Sequence, residues 1–74
     1  MDESTLLRTV ADILEIDIDE VSLSDELEVI GWDSLSNISF IAEVDTAVGL
    51  TIDADALAEA VTVADLKALV DAGA

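Results

Sequence analysis

No proline interrupts this chain, and glycine stands only at positions 31, 49 and 73. With so few breakers among so much Leu, Val, Ile and Ala, long helices are the favoured local structure. The stretch "STLLRTVADILEI" spaces Leu6, Leu7, Val10, Ile13 and Leu14 along one helical face. It predicts a first helix over Glu3 to Glu15, started by Asp2, Glu3 and Ser4. "DSLSNISFIAEVDTAVG" predicts a second, with Asp33 as N-cap and Gly49 as C-terminal stop. A short third helix is expected from Ala54 to Ala60, with Leu57 and Val61 turned inward. "TVADLKALVDAG" supplies the last, opened by Thr62 with Asp65 three residues on and carrying Val63, Leu66, Leu69 and Val70 on its apolar face. "EIDIDEV" alternates like a strand but is too acidic to compete. The stretch "DIDEVSLSDELEVIGW" reads as a long ordered loop anchored by Val21, Leu23, Leu27 and Ile30, with a helical turn around Asp25 to Val29. The fold class is therefore all-α: a single domain over residues 1–74, built as a four-helix bundle with a long first loop and a short third helix.

The second helix has two apolar stripes. Ile41, Val44 and Val48, with Phe40 beside them, form one; Leu35, Ile38 and Ala42 form the other. Such a helix lies deep in a core or offers one face to a partner, and the pattern leaves both open.

Charge narrows the partners. Eighteen Asp and Glu face only Arg8 and Lys67, a formal net charge of −16. That surface repels phosphate backbones and anionic lipid, so neither nucleic acid nor membrane is an expected partner. Proteins with basic patches are, drawn in by long-range attraction, although the charge could serve solubility alone. Disorder is not expected, because 53% of the residues are hydrophobic. The acidic start "MDESTLLRTV" does not read as a signal peptide and no apolar run reaches spanning length, so a soluble, cytoplasmic protein is expected. Self-repulsion favours a monomer.

The chain has no His, Cys or Tyr. A self-contained Ser-His-Asp or Cys-His catalyst cannot be built, nor a His- or Cys-ligated zinc site. Carboxylate pairs abound, but acid–base work requires a cleft that separates their pKa values, and a helical domain of 74 residues has little room for one. A catalytic role is not expected. Asp17, Asp19 and Glu28 fall at the first, third and twelfth places of a calcium-loop register, but Val21 and Ser22 stand where an oxygen ligand and the turn glycine belong. Asp53, Asp55 and Glu59 make a shorter cluster without that register. No dedicated metal site is expected.

Ser34 remains. Asp33 as N-cap places it in the first turn of the second helix, where unpaired N–H groups and the helix dipole favour a phosphate. It is either an ordinary first-turn residue or a site of covalent modification; Asp-Ser-Leu by itself favours the former.

The wider context favours the latter. Gly31-Trp32-Asp33-Ser34-Leu35 resembles the Gly-x-Asp-Ser-Leu motif that opens the second helix of acyl carrier proteins. The approach "LEVIGWDSL" and the downstream run "VGLTIDADALAEAVTVADL" follow the family's order, and nearly the whole chain is similar to it. The resemblance implies a four-helix bundle and a 4′-phosphopantetheine arm on Ser34, transferred from coenzyme A by a magnesium-dependent phosphopantetheinyl transferase. It implies no catalysis by the chain itself, and an arm that brings its own thiol needs no cysteine. Asp33 would cap the helix and help the transferase. Leu35, Ile38 and Ala42 match positions where the family meets its partners, with Glu43 and Asp45 adding ionic contacts. Those partners are the transferase, an acyl- or aminoacyl-loading ligase or transferase, and downstream biosynthetic enzymes. Phe40, Ile41, Val44, Leu57 and Ala60 either shelter a short acyl chain or simply pack. The second helix is poorer in glutamate than the fatty-acid-synthesis pattern, with Ser36, Asn37, Ser39 and Thr46, and Trp32 is unusual before the aspartate. "WDSLSNISFI" looks more like discrete carriers of polyketide, nonribosomal-peptide or aminoacyl pathways. Asp-Ser in place of His-Ser is closer to the acyl branch.

Overall fold

Four α-helices and one 3-10 turn make up the regular structure of residues 1–73, the part of the chain that the computed structural model describes. The α-helices are α1 (Glu3–Leu14), α2 (Ser34–Val48), α3 (Ala54–Ala58) and α4 (Val63–Gly73). No strand occurs among the described residues, and the bundle with a long first loop and a short third helix is the one expected. No helix among those residues is long and apolar enough to cross a membrane.

Local chemistry sets the ends. Asp2 accepts the Thr5 N–H at 2.8 Å and starts α1. Thr62 and Asp65 cap α4 reciprocally, Asp65 N–H donating to Thr62 Oγ1 at 3.3 Å and Thr62 N–H to Asp65 Oδ2 at 3.0 Å. Gly49 ends α2 in the left-handed region at φ 67°, where a side chain is costly. Glu15 ends α1 in the same region, at φ 58°. It is the one non-glycine residue there among those described, and its N–H and that of Ile16 close back on Asp12 and Ala11. Relieving this strain with Glu15→Gly should stabilise the domain by about 0.5–1 kcal/mol, seen as a rise of a few degrees in thermal unfolding followed by circular dichroism. An unchanged or lower midpoint would show that the exposed Glu15 side chain contributes more than its backbone costs.

The core is Leu6 and Val10 of α1, Phe40 and Val44 of α2, Leu57 of α3, and Val63, Leu66 and Val70 of α4, all 2% exposed or less. Val21 and Leu27 reach it from the loop and Ile52 from the α2–α3 connection. The inner stripe expected on α2 holds at Phe40 and Val44 and is partly buried at Ile41. Val48 departs from it, being 44% exposed in the last turn before Gly49.

The 19 residues from Glu15 to Asp33 are tied down by backbone pairing as well as by their apolar anchors. Leu27 N–H donates to Val61 O at 2.8 Å, Val63 N–H to Asp25 O at 3.0 Å and Ala64 N–H to Leu23 O at 2.9 Å. The loop thus satisfies N–H groups at the start of α4 that a helix leaves unpaired. This pairing also explains a departure. Val61 was expected inward, but its carbonyl accepts from Leu27, its N–H donates to Asp65 at 2.9 Å, and its side chain is left outside. The expected turn lies at residues 26–30, where Val29 and Ile30 N–H both donate to Glu26 O. An unanticipated 3-10 turn occupies Ile18–Glu20, where Glu20 accepts the Asp17 N–H at 3.2 Å. α3 is two residues shorter than expected; Glu59 and Ala60 close 3-10-type bonds on Ala56 and Leu57.

Candidate functional site

The loop delivers the chain to the start of α2 through two fixed points. Gly31 turns with φ 85°, and Trp32 N–H donates to Leu27 O at 3.0 Å. Asp33 is then extended, and its Oδ1 accepts from Ser36 N–H at 3.0 Å and from Ser36 Oγ at 3.1 Å. Ser36 is buried, so its hydroxyl is committed to the cap. Ser34 lies between these partners, exposed, in the first turn of α2.

The Ser36 backbone N–H, followed by its hydroxyl, lowers the Asp33 pKa below the ordinary aspartate value. The capping contribution is therefore complete above that ordinary value and is lost as pH falls through the depressed folded value. Neutralising the other carboxylates relieves self-repulsion over the same range, so a comparison isolates the cap. The gap in thermal midpoint between wild type and Asp33→Ala should be widest near neutral pH and should close in acid below the ordinary aspartate value. A gap that stays constant with pH would contradict this assignment.

Beside Ser34 runs an open groove of about 440 Å³ between the end of the loop and α3. Leu27, Trp32, Leu57, Ala60 and Val61 give it an apolar lining; Glu26, Glu28, Asp33 and Asn37 make it polar elsewhere. Trp32 is half-buried here. Its Nε1–H donates to Asn37 Oδ1, and its ring meets Phe40 edge-on, with centroids 5.8 Å apart.

The structure therefore brings Asp33 and Ser34 together with a groove that can hold a linear group. On α2, Leu35 and Ile38 are 73% and 64% exposed, and Ala42, Glu43 and Asp45 are exposed as well. Leu35, Ile38 and Ala42 share one face by their spacing of three and four residues. Of the five residues considered as a shelter for an acyl chain, Phe40, Val44 and Leu57 are buried, Ile41 and Ala60 are partly buried, and only Leu57 and Ala60 line the groove. Among the described residues no group of three or more carboxylates is arranged to hold a metal ion. Sequence reasoning overlooked Ser36 and Asn37 as structural partners. Ser36 had a signal, since it stands three residues after the N-cap. The Trp32–Asn37 bond crosses a loop–helix junction and has none.

The model of the family described as "phosphopantetheine attachment site" matches residues 4–70. The chain belongs to that family. Searches of the curated proteins and of the solved structures return no significant match. Members of the phosphopantetheine attachment family are non-catalytic carriers with a covalent 4′-phosphopantetheine group, and they interact with modifying and biosynthetic enzymes. The site suits that group: a reachable hydroxyl, a helix N-terminus for the phosphate and a partly apolar groove alongside.

Proposed function

We propose that the chain is a single-domain carrier that holds acyl or aminoacyl groups for fatty-acid, polyketide or related biosynthesis. Ser34 is the attachment residue. The observation that carries this assignment is an exposed serine in the first turn of α2, directly after a capping aspartate and at the edge of the groove. When attached, the arm supplies a thiol on which cargo is held as a thioester.

In attachment, Ser34 Oγ bonds to the phosphorus of the pantetheine phosphate, and the bond from that phosphorus to the adenosine bisphosphate of coenzyme A breaks. The serine proton leaves through the transferase. Asp33, whose carboxylate accepts from Ser36, holds the first turn in place and is suited to face a magnesium ion carried by the transferase. Ser34 is the anchor only; acyl transfer occurs at the far end of the arm. The protein works in the cytoplasm as a monomer, and its −16 charge steers enzymes with basic patches toward it. Leu35, Ile38 and Ala42 form the apolar docking face, with Glu43 and Asp45 as ionic contacts.

The carrier reading is tested by incubating the protein with coenzyme A, magnesium and a promiscuous phosphopantetheinyl transferase. A gain of one phosphopantetheine mass supports it. No gain, beside a control carrier that is modified, would favour an unmodified acidic interaction module with the same fold. The docking face has its own test. Ile38→Glu should slow modification at least about tenfold, a loss of roughly 1.4 kcal/mol at an exposed contact, while the helical circular-dichroism signal is retained. An unchanged rate would remove Ile38 from the docking face.

A further inference from the structure

The groove beside Ser34 is walled in part by the core residues Leu27 and Leu57, and on the Phe40 side it meets the interior of the bundle at Trp32. Trp32 and Ser34 line the same groove, while the Trp32 ring packs edge-on against Phe40, which is fully buried. The indole is held by two contacts, its N–H on Asn37 Oδ1 and a T-shaped ring contact with Phe40. Phe40 and Val44 are 0% exposed and line no part of the groove. An apolar chain anchored at Ser34 gains free energy by entering a core, in proportion to the methylenes it buries. To do so here on the Phe40 side it would have to displace the indole, breaking its part-buried hydrogen bond to Asn37 and its ring contact with Phe40.

We propose that Trp32 is a specificity-determining residue of this carrier: clamped between Asn37 and Phe40, its indole closes the Phe40 side of the core and keeps apolar cargo in the surface groove. The proposal rests on the carrier reading and on Ser34 as the anchor. A long apolar chain then gains little from its carrier, and short or polar cargo is at no disadvantage. Cargo lies against the outer side of the indole, where a partner enzyme reaches it without opening the bundle.

The test uses the transferase with coenzyme A or octanoyl-coenzyme A to make the unloaded and octanoyl forms of wild type, Trp32→Ala and Trp32→Phe. Ser34 Oγ again bonds to the pantetheine phosphorus and the adenosine bisphosphate departs. The readout is the difference in thermal midpoint between the two forms of each protein, which cancels any general loss of stability from the substitution. Wild type and Trp32→Phe, which retains an aromatic edge against Phe40, should show a difference of no more than about 1–2 °C. Trp32→Ala should show the octanoyl form raised by about 5–10 °C, as a few methylenes fill the opened space. In wild type the octanoyl group should also shift the emission of this sole tryptophan to the blue. A comparable stabilisation of wild type by octanoyl, or no gain in Trp32→Ala, would overturn the proposal. Should Trp32→Ala not fold, Trp32→Leu takes its place, and the wild-type comparison still decides against the proposal if octanoyl stabilises it. Failure of either substrate to add mass would instead remove the carrier reading on which the proposal stands.

Discussion

Phe40→Ala brings the domain to the edge of unfolding at 25 °C. Phe40 is the largest fully buried side chain, and it joins α2 to the rest of the core while backing Trp32. Truncating a buried aromatic to alanine removes about 3–5 kcal/mol, part in lost transfer energy and part in the cavity left behind. At ordinary stabilities per residue, a domain of 74 residues has only roughly 4–11 kcal/mol in all. Repulsion among eighteen carboxylates with two compensating cations draws on the same reserve. No disulfide is available to hold the unfolded chain together. The expected result is a fall of about 15–30 °C in the midpoint of thermal unfolding, followed by circular dichroism at moderate ionic strength. A fall of under about 5 °C would mean that the bundle collapses around the gap and that Phe40 is not its centre.

Ser34→Ala has the opposite profile: no loss of stability and complete loss of modification. The side chain is exposed, and the first turn of α2 is held by Asp33 and Ser36. Alanine is a good helix former at that position. The neighbouring serines cannot readily take over. The Ser36 hydroxyl is buried and bonded to Asp33, and Ser39 stands more than a helical turn further along, away from the groove lining. Losing the arm while keeping the fold separates an anchoring residue from a structural one.

The parts of this fold that were legible in the sequence are those governed by local rules. Asp33 and Gly49 bracket α2, Thr62 and Asp65 open α4, and the apolar spacing of α1 and α4 places Leu6, Val10, Val63, Leu66 and Val70 in the core. Where non-local pairing decides, the sequence misleads. Val61 belongs to an apolar pattern, yet backbone bonds to Leu27 and Asp65 hold it in a connection with its side chain outside. The turn at Ile18–Glu20 hides in an acidic, strand-like alternation that carries no helical spacing. At the site, Asp33 and Ser34 are readable from one motif. The groove is not, because α3 and the loop form its walls and meet only through tertiary packing. The second stripe on α2 is not core: Leu35 and Ile38 face solvent.

The most direct test of the central claim is intact-protein mass spectrometry of wild type and Ser34→Ala after incubation with coenzyme A, magnesium and a phosphopantetheinyl transferase, with fragmentation to locate the added group. The predicted result is one phosphopantetheine mass on wild type, mapped to Ser34, and none on the variant. Modification of Ser34→Ala, or a group mapped to any other serine of wild type, would contradict it.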